Sequence, residues 1–131
     1  MDRELVHEWF RFANMDLDLA KHTLETMYPP PLEIICYHCQ QAAEKFIKGV
    51  IISFDIEVEK THDLSKLLNT LVPLTDIPDT FMESAERLTM FGIRVRYPNE
   101  LPVDETQTKL AIVQAENIKN WAESLIKEQD K

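Results

Sequence analysis

Residues that break helices are scarce in this sequence, and they are clustered. The chain of 131 residues contains two glycines and seven prolines, and the prolines stand at positions 29–31, 73, 78, 98 and 102. The long stretches between them carry no residue that would stop a helix. A turn-rich β architecture needs glycine and proline at short intervals, so this distribution favours long helices. No stretch of the chain makes a convincing strand.

Five segments place apolar residues at the three- and four-residue steps of a helix. We predict helices at residues 3–28, from Leu32 to about Asp55, from Thr61 to just before Pro73, from Asp79 to Arg96, and from the cap Asp104 to about Glu128. The predicted core positions include Leu5, Trp9, Ala13, Ala20, Leu24 and Met27 in the first helix, and Leu32, Ile35, Cys36, Cys39, Ala43, Phe46 and Val50 in the second. Short connections between long amphipathic helices favour antiparallel neighbours. We therefore predict an all-α, antiparallel up-and-down bundle of four long helices and one short helix, with residues 1–131 as a single domain.

The charge balance is strongly acidic, with a formal net charge of −9. Binding to nucleic acid phosphates needs clustered Lys and Arg, so we expect no DNA partner and consider RNA disfavoured. An anionic membrane surface is disfavoured for the same reason. No apolar run approaches the roughly 20 residues of a transmembrane helix, and the N-terminus shows no signal-peptide pattern. We expect a cytoplasmic protein.

Cys36 and Cys39 form a lone C-x-x-C in the second helix. A zinc site needs about four ligands, and the chain offers no second ligand pair. A thioredoxin-like redox pair would need a βαβ context and a place at a helix N-terminus. Both cysteines fall on the apolar stripe, so we interpret them as buried, reduced thiols that pack as small hydrophobic groups. We expect no metal and no cofactor other than a possible nucleotide ligand.

Two polar residues stand where structural partners are expected. Asp16 interrupts the apolar stripe of the first helix. It is either solvated at the edge of the stripe or buried and paired with an Arg, Lys or His of another helix, since an acid buried without a partner is costly. Arg96 is one candidate partner. His62 opens the third helix, where we expect it to cap the helix or make a local hydrogen bond, with Thr61 or Asp63 as the N-cap.

A polar flank runs along the second helix beside the core stripe. His38, Gln41 and Lys45 follow one another at steps of three and four, and Ile34 and Ile52 bracket them. Either this flank is solvated and its isoleucines are incidental, or another helix, another subunit or a ligand covers it. The three polar side chains offer hydrogen-bond donors suited to a phosphate or a base. We take His38, Gln41 and Lys45 as candidate binding residues.

The end of the fourth helix offers a second candidate site. Arg94 and Arg96 can grip a phosphate, because guanidinium forms bidentate hydrogen bonds, and Tyr97 offers a ring for stacking. The alternative is that Arg96 pairs structurally with a buried acid such as Asp16, and that both arginines simply favour a helix C-terminus. We take Arg96 and Tyr97 as candidate binding residues. Two distant glycines exclude Walker-type and Rossmann phosphate loops.

Four motifs, in order along the chain, resemble the HEPN domain family. They are Trp9-x3-Ala13-x2-Asp16-Leu17-x2-Ala20, then CYHCQQAAEK-x2-K at residues 36–48, then Thr61-His62-Asp63-Leu64-x2-Leu67, then Arg96-Tyr97-Pro98. The resemblance covers nearly the whole chain. It implies a helical bundle that is usually homodimeric, with a groove for nucleotide or RNA. It also implies a possible minimal nucleotidyltransferase partner, as in toxin–antitoxin pairs.

Some members of that family are metal-independent ribonucleases with an Arg-x4–6-His motif, and this chain departs from it. No Arg is followed by His at that spacing: only three residues separate Arg3 from His7, and the last histidine, His62, precedes Arg87, Arg94 and Arg96. Three hypotheses follow. The first is a non-catalytic module that binds a nucleotide or a partner nucleotidyltransferase. The second is an unconventional ribonuclease, and the third is a structural dimerisation module without a ligand.

Overall fold

A computed structural model describes residues 1–96 and 102–130 of the chain, without the side chains of residues 94–96. Its five helices are α1 (Arg3–Thr26), α2 (Leu32–Ser53), α3 (Leu64–Leu71), α4 (Phe81–Arg96) and α5 (Glu105–Gln129). The described part of the chain contains no strand, so the predicted all-α fold is confirmed. The predicted loop from Tyr97 to Val103 falls largely outside the described residues.

The helix boundaries follow local capping chemistry. The Asp63 carboxylate accepts hydrogen bonds from the Ser65 and Lys66 amides, so α3 starts after Asp63 and not at Thr61. Asp104 accepts from the Gln107 amide, and the Gln107 side chain accepts from the Asp104 amide in return. This capping box satisfies two of the amides that a helix start leaves without partners. The predicted cap Asp104 is thereby confirmed.

The long helices alternate in direction. The N-terminal amine of Met1 lies beside Asp55 at the far end of α2, so α1 and α2 are antiparallel. Cys36 contacts Thr108 and Ser53 contacts Gln129, so α2 and α5 run in the same direction. These contacts agree with the up-and-down order that short connections favour.

Helix α2 lies at the centre and contacts each of the other four helices. Its predicted core stripe is buried, apart from Leu32, which is only partly covered. The four leucines of α3 are buried as well: Leu64, Leu67, Leu68 and Leu71. Because α2 has neighbours on most sides, several of its polar residues are buried as well. Some of these buried polar residues belong to the candidate site.

The predicted core face of α1 is partly wrong. The buried residues of α1 are Val6, Phe10, Ala13, Leu17 and Ala20. Leu5 and Met27, which we had assigned to the core, are exposed. Helix α1 carries apolar residues on two faces, so spacing alone does not say which one packs. The close contact with α2 selects the face of Phe10, whose ring lies edge-on to Phe46 with centroids 5.5 Å apart.

Candidate functional site

Asp16 is held by two side chains of α2. Its Oδ1 lies 2.9 Å from His38 Nδ1, and its Oδ2 accepts a hydrogen bond from Lys45 Nζ at 2.5 Å. The Asp16 side chain is 14% exposed, so it is largely buried and has the partners that a buried acid needs. The structure therefore places Asp16 in a pair between helices. The pairing with Arg96 rests on a side chain outside the described residues.

This pairing divides the polar flank predicted on α2. His38 and Lys45 turn toward α1, and their side chains are about three-quarters buried. Gln41 turns the other way, and its Nε2 donates to the Tyr37 hydroxyl at 2.6 Å. Helix α1 thus covers part of the flank. Of the three candidates, Gln41 is the one that has no charged partner. Its side chain lines a cleft.

A second buried acid, Glu44, organises a network that the sequence interpretation missed. Gln40 Nε2 donates to Glu44 Oε1 at 3.0 Å, and Lys48 Nζ donates to Glu44 Oε2 at 3.0 Å. His62 Nδ1 lies 2.9 Å from Glu44 Oε1. The Glu44 side chain is 5% exposed and that of Lys48 is 10% exposed. Two buried charges therefore lie next to each other, and their attraction offsets part of the desolvation cost of burying each one.

Gln40, Glu44 and Lys48 follow one another at steps of four, which places them on one face of α2. In sequence, a Glu followed four residues later by Lys is typical of a solvated helix surface. The signal that points inward is the apolar stripe directly beside them, formed by Ala43, Ile47 and Ile51, which are all buried. His62 joins the network from the segment before α3. It bonds an acid of another helix and does not cap its own.

The network lies beside a cleft of about 280 Å³ between α2, the start of α3 and α4. The described residues that line it are Tyr37, Gln40, Gln41, His62, Asp63, Thr89, Gly92 and Ile93. Gly92 lies over the Gln40 amide, since a Cβ built on Gly92 would stand 3.4 Å from Gln40 Oε1. The missing side chain at position 92 leaves this amide open to the cleft.

Two candidate residues from the sequence, Arg96 and Tyr97, belong to the same end of α4. Arg96 is the last residue of α4 and follows Gly92 by about one helical turn. The Arg96 side chain and all of Tyr97 lie outside the described residues. Their contacts with the cleft stay a prediction.

The two cysteines take no part in the cleft. Cys36 and Cys39 are both buried, as predicted, and Cys36 Sγ contacts Thr108 Oγ1 at 3.4 Å. Burial raises the pKa of the Cys39 thiol far above its ordinary value, and the neighbouring Cys36 adds to this while Lys21 opposes it. A thiol with a raised pKa is a poor nucleophile and a poor metal ligand. In the described parts of the chain, no group of three or more His, Cys, Asp or Glu side chains is placed to hold a metal ion.

A second cleft, of about 350 Å³, lies between α4 and α5. Its described lining residues include Arg87, Met90 and Gln107, and none of the residues singled out in the sequence. Arg87 is paired with Glu83, and Gln107 is engaged in the capping box of α5. The smaller cleft is the better candidate site, because polar groups from three helical elements converge on it.

The five-helix bundle with a polar cleft beside its central helix defines a class of small helical domains, and comparison with known proteins gives the family. The model of the HEPN domain family matches residues 6–125. The chain belongs to the HEPN domain family. No curated protein matches it. None of the described helices is long and apolar enough to cross a membrane.

Three solved structures are similar to this chain. TT1696 from Thermus thermophilus is 26% identical, with a TM-score of 0.82 over 95% of this chain and 98% of its own. ST0689, an archaeal HEPN homologue, is 26% identical, with a TM-score of 0.73 over 92% of this chain and 97% of its own. An HEPN domain protein from Thermotoga maritima, TM0613, is 27% identical, with a TM-score of 0.58 and 92% of each chain covered. The identity is low in all three, so they support the family and the fold.

Proposed function

We propose that the protein is a non-catalytic HEPN module that binds a nucleotide in the cleft between α2, α3 and α4. The base would occupy the cleft, and the phosphate would extend toward Arg94 and Arg96 on the last turn of α4. The observation that carries the proposal is the convergence of Gln40, Gln41 and His62 on one small cleft.

The size and chemistry of the cleft support a base as the occupant. A volume of about 280 Å³ lies near the lower end of the roughly 300–1,000 Å³ that is typical of small-molecule sites. That volume suits a single base. Tyr37 supplies an aromatic side chain, and glutamine amides pair with base edges. Binding without catalysis agrees with the absence of the Arg-x4–6-His motif from the sequence.

Calorimetric titration with ATP and GTP tests this function. We expect Arg96→Ala to weaken binding about tenfold or more, since a hydrogen bond to a charged group contributes roughly 1.5–3 kcal/mol. Arg87→Ala is the matched control, because Arg87 lies on the same helix and makes an exposed pair with Glu83. That variant should bind like the wild type. No measurable binding of either nucleotide at millimolar concentration would refute the proposal.

A second candidate role, protein association, is supported by an apolar stripe on α1. The stripe consists of Leu5, Phe12, Met15 and Leu19, at steps of seven, three and four, and each is 44–53% exposed. A contiguous exposed apolar patch on a soluble domain marks an interaction surface. We propose that a second copy of the chain covers it and makes a homodimer. A minimal nucleotidyltransferase partner is the alternative occupant.

Light scattering after size-exclusion chromatography measures the mass of the assembly. The wild type should elute as a dimer, and Phe12→Asp should shift it to the monomer, because a carboxylate buried without a partner is costly. Met90→Asp on α4 is the control, since Met90 (46% exposed) matches Phe12 (47% exposed). A monomeric wild type would contradict the homodimer. Loss of a complex with a co-expressed nucleotidyltransferase in Phe12→Asp would assign the stripe to that partner instead.

A further inference from the structure

The amide of Gln40 can face in only one direction. An ionised carboxylate accepts hydrogen bonds and donates none. The Gln40 group that meets Glu44 Oε1 at 3.0 Å must therefore be the NH₂. This leaves Gln40 Oε1 on the cleft side, near Gly92, and no described residue donates a hydrogen bond to it. Gln40 itself is 2% exposed, so its oxygen is a buried acceptor that opens only onto the cleft.

Three other polar groups of the cleft can act as acceptors too. When the neutral His62 ring donates from Nδ1 to Glu44, its Nε2 is left as an acceptor. Asp63 contributes a carboxylate, and the Thr89 hydroxyl has committed its hydrogen to the Ala85 carbonyl at 2.7 Å. The described lining residues include no Lys or Arg. The cleft also holds donors, since the Tyr37 hydroxyl accepts from Gln41 and keeps its own hydrogen. A ligand group that pairs with Gln40 Oε1 must nevertheless bring an N–H donor.

We infer that the cleft selects purine nucleotides whose base carries an exocyclic amino group, and that Gln40 Oε1 accepts one of its N–H bonds. This inference rests on the proposed nucleotide binding and deepens it. The Glu44 carboxylate acts as a positioning group: it holds the Gln40 amide with its oxygen toward the ligand. The 2-amino group of guanine and the 6-amino group of adenine share this chemistry, and the experiment distinguishes them.

Two pairs of nucleotides isolate the amino group. GMP and IMP differ only by the 2-amino group of the base, whereas AMP and purine ribonucleoside monophosphate differ only by the 6-amino group. Calorimetry on the full chain should show tighter binding of the amino-bearing member in one pair. We expect about a three- to tenfold ratio, which is what one neutral hydrogen bond contributes. The pair that shows the ratio identifies the base.

Two variants assign the preference to Gln40. Gln40→Met removes the acceptor at similar volume. Gly92→Ala leaves the Gln40–Glu44 bond intact and places a methyl group over Gln40 Oε1. Each should bring the ratio close to one. Gln114→Met is the control, because Gln114 is also a buried glutamine but lines the other cleft, and it should keep the wild-type ratio.

The possible outcomes distinguish the preference for an amino-bearing base from the proposed nucleotide binding on which it rests. Nucleotide binding with equal affinities in both pairs would overturn the inference and leave the proposed function standing. No binding of any of the four nucleotides would overturn both. A ratio that persists in Gly92→Ala would remove Gln40 Oε1 as its cause. Circular dichroism confirms that each variant is folded, and if Gln40→Met does not fold, Gly92→Ala decides alone.

Discussion

Replacing Glu44 by alanine is expected to lower the free energy of unfolding by about 3–5 kcal/mol, because removing one partner of a buried ion pair leaves the other charge uncompensated. The charge left behind is Lys48, whose side chain is 10% exposed. Lys48 Nζ also lies 5.9 Å from the centroid of the Trp9 ring, which carries no compensating charge. Gln40 and His62 also lose their acceptor. Urea denaturation followed by circular dichroism measures the change.

A less deeply buried ion pair provides the comparison. Glu123 accepts a hydrogen bond from Lys119 at 2.9 Å on α5, also at a spacing of four residues, but the two side chains are 36% and 25% exposed. Glu123→Ala should therefore cost clearly less than Glu44→Ala, because water reaches and screens the charge that is left behind. Replacing both members of the buried pair, as in Glu44→Leu with Lys48→Met, should recover much of the loss, because no unpaired charge remains. Equal effects of Glu44→Ala and Glu123→Ala would show that the buried network contributes no more to stability than the pair on α5.

The two glycines of the chain should respond in opposite ways to the same substitution. A Cβ on Gly49 would stand 2.6 Å and 2.9 Å from two ring atoms of Phe10, and 3.3 Å from Trp9 Cβ. Phe10 is held between α1 and α2 against Phe46, so its ring has little room to move. Gly49→Ala should destabilise the fold by about 1–3 kcal/mol, the usual cost of overpacking.

A Cβ on Gly92 would stand 3.4 Å from its nearest neighbour, Gln40 Oε1, which is an ordinary van der Waals distance. Since alanine is favoured over glycine in a helix interior by roughly 0.5–1 kcal/mol, this variant should be as stable as the wild type or more stable. The free energies of unfolding of the two variants, measured side by side by thermal and urea unfolding, should differ by roughly 1–4 kcal/mol. A Gly49→Ala variant as stable as the wild type would mean that α1 and α2 do not approach closely at Gly49, and a destabilised Gly92→Ala would mean that position 92 has no room for a methyl group.

The contrast between the glycines separates packing from binding. Gly49 lets two helices come together and is remote from the cleft. Gly92 leaves the Gln40 amide open and carries no packing demand of its own. A glycine inside a helix lowers stability, so one that no close packing requires indicates a functional reason, such as access for a ligand. This is why Gly92→Ala is useful for testing ligand binding without loss of the fold.

Much of the architecture is predictable from the sequence, because it depends on local signals. The leucines of α3 and the core stripe of α2 after Leu32 follow helical spacing and are buried where that spacing placed them. Asp104 caps α5 through its own backbone neighbours. The prolines at 29–31 and 73 separate the helices by blocking backbone hydrogen bonds. These features involve residues within a few positions of each other, so the chain alone specifies them.

The residues of the candidate site depend on contacts between helices. Spacing on α1 offered two apolar faces, and only packing against α2 chose Phe10 and left Leu5 exposed. The acidity of Asp16 predicted a partner if it were buried, but the partners His38 and Lys45 became known only from the position of α2.

The sequence by itself determined an all-α bundle of the HEPN type, because helix periodicity, caps and chain breakers are local. The tertiary structure alone decided that Gln40, Glu44 and Lys48 lie inside, since a Gln-x3-Glu-x3-Lys spacing is equally compatible with a solvated face. It also brought His62 to Glu44 across 18 residues of chain. Whether a charge on a helix is buried depends on what packs around that helix. Helix α2 is packed against every other described helix.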